Sequence, residues 1–292
     1  MDVRIEKMAY VLINYSTAVK PGERVLIRST SPAAEPLCQA LYAEALKAGG
    51  QASVYMHMSE EDPIALEATD DLALLAYVNP MLKMMYDECD VIIRIEARQN
   101  SSDRAAYPVD QQVARAKASS ALIDIQMVRQ ANQTLRRCTT QFPTFSYAQS
   151  AGMSLRQYAD FLFGACRVDL DDPVAAWQQV QLDQARLVDW LKGKKAVQVR
   201  GKNIDLELSI EGRSFINADG KVNFPDGEIF TGPVENSVNG WVHFTYPAYY
   251  RGNEVKGVEL EFRDGLVVGA KAQSNESFLI ATLDTDSGSR RL

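Results

Sequence analysis

Apolar residues near the start of the chain recur at helical spacing. Ile5, Met8, Leu12 and Tyr15 stand three or four positions apart, which puts them along one face of an amphipathic helix. Pro21-Gly22 breaks the pattern, and the run Val25-Leu26-Ile27 that follows reads as a short buried strand. A second helical stripe, Leu37, Leu41, Ala45 and Ala48, ends at Gly49-Gly50, where glycine can take the left-handed conformation that closes a helix. Ala52-Ser53-Val54-Tyr55-Met56 reads as another strand, the region around Asp71 to Glu88 as helical, and Val91-Ile92-Ile93-Arg94-Ile95 as a further strand. Strands alternating with helices predict an open α/β layer with a largely parallel sheet.

The middle of the chain is more helical. Residues from Gln111 to Gln130 include neither Gly nor Pro, and Ser154-Leu155-Arg156-Gln157 has the form of a capping box opening a helix. Between them, Arg137 to Thr144 reads as a strand and turn. Asp172-Pro173 is a strong helix start, with Trp177, Val180, Leu187 and Leu191 predicted on its buried face. After Gly193 the texture changes to short alternating runs such as Leu206-Glu207-Leu208 and Val258-Glu259-Leu260-Glu261-Phe262. These predict an antiparallel sheet with hairpins, Arg263-Asp264-Gly265 forming a tight turn and Ser277 to Leu283 beginning a covering helix. The expected organisation is an α/β domain over residues 1–170, followed by an α+β domain rich in antiparallel strands over residues 171–292.

A formal net charge of -7 and a pI near 5.1 oppose general attraction to nucleic-acid phosphates. Arg115, Lys117, Arg129, Arg136 and Arg137 make the middle segment locally basic, but without an aromatic stacking pattern they read as a solvated helix face or a subunit contact. Cys38, Cys89, Cys138 and Cys166 are widely separated and form no CxxC pair, a usage that fits a reducing cytoplasm. No segment approaches the roughly 20 apolar residues that span a bilayer, and the N-terminus lacks a signal-peptide stretch. The expected partners are small molecules, peptides or another copy of the chain, with neither nucleic acid nor membrane among them.

Several familiar chemistries lack their motifs. The sequence has no Gly-x-Ser-x-Gly elbow, no GxGxxG after the first strand and no Walker-type phosphate loop. Cys38 and Cys166 sit within apolar helical stripes, where packing explains them better than nucleophilic catalysis. His57 precedes Glu60, Glu61 and Asp62, so either a hard-metal cluster or a solvated acidic loop fits that stretch, the loop being the simpler reading. His243 lies in a strand-like segment that favours a bond to a neighbour over a catalytic role. Glu259, Glu261, Glu276, Asp284 and Asp286 carry no assignment. The turn Pro225-Asp226-Gly227 bends the chain so that Glu228 can project from a rigid support. On the residues alone, Glu228 is either a metal ligand or part of an ordinary surface hairpin.

The wider sequence weighs on that choice. Asn223-Phe224-Pro225-Asp226-Gly227-Glu228, followed by Gly232-Pro233-Val234-Glu235-Asn236 and Val238-Asn239-Gly240, resembles the first metal-ligand segment of the M29 metallo-aminopeptidases. Gly201-Lys202-Asn203-Ile204-Asp205-Leu206, Pro21-Gly22-Glu23-Arg24-Val25-Leu26-Ile27, Phe142-Pro143-Thr144 and Ala151-Gly152-Met153-Ser154 are similar to further segments of the same family. The resemblance implies a two-domain, cytoplasmic and usually dimeric enzyme that releases N-terminal residues from short peptides. It implies two divalent ions, zinc, cobalt or similar, with Glu228 as a ligand to one of them. It also implies that the remaining ligands lie beyond Leu292, so that this chain is expected to be a truncated and inactive form. The alternative is a noncatalytic binding or assembly protein that keeps the aminopeptidase scaffold.

Overall fold

The computed structural model describes residues 2–104, 106–250 and 253–292. The chain folds into two compact units, one built from the residues up to Asp183 together with Ala218–Glu228, the other from Gln184–Asn217 and Ile229–Leu292.

The first unit is organised by a parallel sheet. Its strands β1 (Arg24–Ser29), β2 (Gln51–Met56), β3 (Val91–Glu96) and β4 (Arg136–Gln141) are joined by a short distant strand, β8 (Asn223–Phe224), in the order β2-β1-β3-β4-β8. Strand alternation gives the sheet two apolar faces. Val25, Ile27, Val91, Ile93 and Ile95 point into one core together with residues of α1 (Val3–Val11), α2 (Glu35–Lys47) and α8 (Leu155–Ala165). Leu26 and Ile92 point into the other, with Leu82 and Tyr86 of α5 (Pro80–Glu88) and Leu122 of α6 (Val109–Ala131). Helices on both faces are what a buried parallel sheet requires, and the β-branched runs of β1 and β3 follow from it.

The predicted helical region from Asp71 to Glu88 is interrupted. It divides into α4 (Leu72–Leu75) and α5, because the Asn79 side chain accepts from the Met81 and Leu82 amides at 2.9 and 3.4 Å and thereby starts a new helix. Pro80 disfavours helical geometry at the residue before it and fits the first turn of the helix it opens. A further helix, α3 (Glu61–Ala68), occupies what reads in sequence as an acidic loop. The capping box of α8 forms as predicted: Gln157 N donates to Ser154 Oγ at 3.2 Å, and Ser154 N to Gln157 Oε1 at 3.0 Å. A short helix α7 (Phe145–Ser150) precedes it.

Helix α9 (Pro173–Leu191) begins at Asp172, whose carboxylate accepts from Ala175 N at 2.9 Å. Trp177 is fully buried and Val180 packs against the same core, whereas Leu187 is exposed. The apolar stripe predicted for the whole helix is therefore buried only in the half that belongs to the first unit. The partition of the chain falls inside this helix rather than before it, and residues 218–228 return to the parallel sheet.

The second unit is antiparallel. Strands β5 (Ala196–Gly201), β6 (Ile204–Ser209), β10 (Asn239–His243), β13 (Glu259–Arg263) and β14 (Leu266–Lys271) run in the order β14-β13-β10-β6-β5. Val238, Val242, Phe262 and Val267 form its core, with Leu283 of α10 (Glu276–Leu283) against it. Two small ribbons complete the topology, β7 (Ile216–Ala218) with β9 (Glu228–Phe230) and β11 (Ala248–Tyr250) with β12 (Asn253–Val255). The predicted tight turn joins β13 to β14 with positive φ at both Asp264 (48°) and Gly265 (76°), the backbone that matches the twist of a two-residue hairpin. A Cβ on Gly265 would stand 1.6 Å from the Glu235 carbonyl oxygen. Gly265→Ala is therefore expected to destabilise the second unit by about 2–4 kcal/mol, combining backbone strain with overpacking. Denaturant unfolding checks this, and a midpoint equal to that of the parent chain would contradict it.

Candidate functional site

The segment leading to Glu228 is held at the edge of the parallel sheet. Phe224 is buried with its ring 5.3 Å from that of Trp177, and Thr140 Oγ1 donates to the Phe224 carbonyl at 2.7 Å. On β8, Asn223 and Phe224 are in register with Thr139 and Thr140 of β4. The Phe224–Pro225 peptide is cis, and Gly227 has a φ of +124°, a value only glycine adopts easily. Gly227 N donates to the Ala218 carbonyl at 3.0 Å, closing the loop on its own start. The turn places Glu228 at the first position of β9 with its side chain exposed, as the Pro-Asp-Gly sequence predicts.

Two further carboxyl groups belong to this loop. Asp219 is buried, and its backbone carbonyl accepts from the Tyr15 hydroxyl at 3.0 Å while its carboxylate holds Lys221 Nζ at 2.5 Å. Burial, and then the charge of Asp219, push the Tyr15 hydroxyl well above its ordinary range. Asp226 is also pushed upward, chiefly by burial and further by the nearby charges of Glu228 and Asp219, with a hydrogen bond from Gly227 N opposing the shift. Asp226 thus senses the charges of the other two carboxylates. Among the described residues no three His, Cys, Asp or Glu side chains assemble a group able to hold a metal ion. Since metal affinity needs several convergent donors, the donor set at Glu228 does not by itself fit a metal centre.

The other candidates take structural places. His243 Nδ1 lies 3.9 Å from Glu259 Oε1, and its backbone bonds to Asn203 in both directions at 2.8 Å. Glu259 and Glu261 lie exposed on β13, Asp284 pairs with Arg290 at 2.6 Å, and Asp286 caps the amides of Gly288 and Ser289. Glu276 Oε2 accepts from the Ala272 amide at 3.0 Å. All four cysteines are buried and free of disulfides. Burial pushes the Cys38 thiol up to about 11 and that of Cys138 up to about 12, which suits packing and not nucleophilic attack.

The stretch from His57 to Asp62 corrects the reading of a solvated loop. His57 Nδ1 is 3.0 Å from Glu61 Oε2, and Arg115 of α6 reaches Glu61 at 2.9 Å and Asp62 at 2.7 Å. On the other side of the ring, Arg28 contacts His57 Nε2 at 3.0 and 3.2 Å. A guanidinium can only donate, so Nε2 accepts and the ring proton sits on Nδ1, facing Glu61. The result is a half-buried ion network in place of a metal cluster. Its arginines come from a strand and a helix distant in sequence, so spacing around His57 carries no sign of them.

Comparison with known proteins places this architecture. A family model described as thermophilic metalloprotease (M29) matches residues 1–292. Aminopeptidase 2 of Geobacillus stearothermophilus is 28% identical over 317 aligned positions, covering all of this chain and 75% of that protein. Wild-type AmpT from Thermus thermophilus superposes with a TM-score of 0.84 at 21% identity, over 99% of this chain and 76% of that one. A 2,5-dihydroxypyridine dioxygenase from Pseudomonas putida KT2440 superposes at 0.52 with 11% identity, over 98% of this chain and 74% of that one. Two differently named enzymes on one fold show that the fold alone does not decide the activity.

The ion network has a pH signature. The hydrogen bond from His57 and the charge of Arg115 hold the Glu61 carboxyl below its ordinary value of 4.5, against the opposing effect of burial. A carboxylate with a depressed folded-state value stabilises the protein above its unfolded value and loses that contribution as pH falls through the folded one. The stability difference between the parent chain and Glu61→Gln should therefore be largest near neutrality and shrink below pH 4.5. Equal differences at pH 6 and pH 3 in denaturant titrations, as arbitrary points either side of about 4.5, would contradict the assignment.

Proposed function

The chain belongs to the M29 peptidases, and from that premise we propose that it works as a metal-dependent aminopeptidase in which Glu228 is one of the metal ligands. The observation that carries the reading is the family match along residues 1–292, within which the Asn223–Glu228 segment is fixed by buried packing and backbone pairing. A family of metalloproteases implies a metal cofactor, and a divalent ion bound by such an enzyme supplies Lewis acidity. The contribution of this chain's own residues is positional. Phe224, Pro225 and Gly227 fix where the Glu228 carboxylate emerges, two positions from the partly buried Asp226.

The substrates of this reading are peptides with a free N-terminus, and the ions are two divalent cations of the zinc or cobalt kind. Since the local donor set is incomplete, Glu228 would contribute to a centre that needs donors beyond those brought together around it. The same reading includes a homodimer, for which the family resemblance is the support. A cytoplasmic location is supported by four buried, unpaired thiols. No helix among the described residues is long and apolar enough to cross a membrane. The noncatalytic alternative draws on the incomplete donor set and would keep the same scaffold; the match to a peptidase family and to a relative named as an aminopeptidase favours the enzyme.

The test is metal-dependent release of N-terminal residues from short peptides by the whole protein that carries these residues, with and without Glu228→Ala. Loss of a ligand should lower kcat/KM by at least about 100-fold, with less bound metal and an unchanged far-ultraviolet circular dichroism spectrum. Unchanged peptidase activity and metal content in the variant would remove Glu228 from the site.

A further inference from the structure

The parallel sheet carries a row of cations that the peptidase reading does not use. Arg28 on β1 and Arg94 on β3 are register partners on adjacent strands. Arg137 on β4 is the partner of Ile92, two positions before Arg94 on the same strand. Alternation places all three on the face that buries Leu26 and Ile92. Neighbouring strands stand about 4.8 Å apart, and like charges directly opposite one another destabilise a sheet.

Carboxylates compensate this row only in part. Arg94 Nη2 pairs with Glu96 at 2.6 Å, while its Nε is buried and has no hydrogen-bond partner among the described residues. Arg28 is 8% exposed, and its bonds go to the Tyr86 hydroxyl at 2.7 Å and to His57 Nε2, neither of them a carboxylate. Arg137 donates to Gln130 Oε1 at 3.2 Å and Thr139 Oγ1 at 3.0 Å, again neutral groups. Burial and the charge of Arg94 lower the pKa of its guanidinium. Glu61 and Asp62 are taken by Arg115, and Arg104 lies 3.5 Å from Asp62 and 3.8 Å from Asp103. Glu60, also on the cleft wall, is exposed on the side of α3. Three guanidinium groups therefore share one carboxylate, although a buried charge is costly unless it is paired.

A cleft of about 660 Å³ opens over two members of this row, Arg28 and Arg94, with Arg98, Thr30 and Ser31 also on its wall; Glu61, Asp62, Glu96 and Asp103 line it too, each ion-paired to an arginine. It lies beyond the carboxyl ends of β1 and β3. From β1 the sheet runs outward to β2, and from β3 it runs the other way to β4. Such a reversal of strand order leaves a crevice in which open α/β sheets bind ligands, and the volume falls within the range of about 300–1,000 Å³ typical of small-molecule sites. Arg28 has five N–H donors and commits three of them; the others, with the terminal N–H groups of the partly exposed Arg94 that Glu96 does not take, suit the oxygens of an anion.

We propose that this cleft binds a small molecule through an oxyanion group, carboxylate or phosphate, held between Arg28 and Arg94 with Arg98 at the mouth. The site is separate from the turn at Glu228 and does not depend on metal or on peptidase activity.

Calorimetric titration of the full chain at constant ionic strength tests this, with inorganic phosphate as one probe and succinate as the other. Saturable binding of either probe at one site per chain is expected, weakened at least about tenfold in Arg28→Gln and in Arg94→Gln. The tighter probe identifies which of the two anion chemistries the cleft favours. Circular dichroism checks that each variant folds, and Arg94→Gln decides alone if Arg28→Gln does not. Failure of both probes to saturate, or equal affinity in the parent chain and folded Arg94→Gln, would overturn the proposal.

Discussion

The contact between Phe224 and Trp177 holds together two stretches of chain that sequence keeps far apart. Trp177 comes from the first half of α9, and its indole Nε1 donates to the Cys166 carbonyl at 2.9 Å. Phe224 comes from a two-residue strand after the chain has already passed through the second unit. A strand that short offers few ladder hydrogen bonds, so burying a large aromatic side chain is what secures it against β4. Glu228 inherits its position from this anchor, because only Pro225, Asp226 and Gly227 separate it from the buried ring. Gly220 is part of the same fit, since a Cβ there would meet the Trp177 ring at 3.1 Å.

Much of the fold is legible from local pattern. The β-branched runs at Val25–Ile27 and Val91–Ile95 can hardly be anything but buried strands, and Asp264-Gly265 has the chemistry of a tight hairpin turn. Position 79 shows where local reading fails: an asparagine cap before a proline restarts a helix, so one helical region becomes two. Leu187 shows another limit, since helical spacing reveals an apolar stripe without saying how much of it finds a partner. The return of residues 218–228 to the parallel sheet leaves almost no local trace. Two residues are too few to display a period, and the reason Phe224 belongs there lies 47 positions earlier, at Trp177.

The candidate sites divide along the same line. Glu228 stands out because turn chemistry and a family-like segment coincide within six residues. The partners of His57 do not, because Arg28 and Arg115 are brought to it by sheet register and by helix packing. The row of Arg28, Arg94 and Arg137 is likewise invisible until strand order is known. In sequence Arg94 is merely the one charged residue in the apolar run Val91–Ile95, and Arg137 is part of a basic patch. The expected solvated or subunit-facing role of that patch gives way, for Arg137, to a half-buried place beside Arg94.

Native-state hydrogen exchange at Thr139 tests most directly whether the Glu228 segment is built into the first unit. The Thr139 amide donates to the Val222 carbonyl at 2.9 Å, across the β4–β8 edge. If the anchor is part of the cooperative fold, this amide should be protected to the same degree as the central amides of β3. Exchange at the rate of an open sheet edge, with β3 still protected, would mean that residues 218–228 are not held there and that Glu228 has no fixed position.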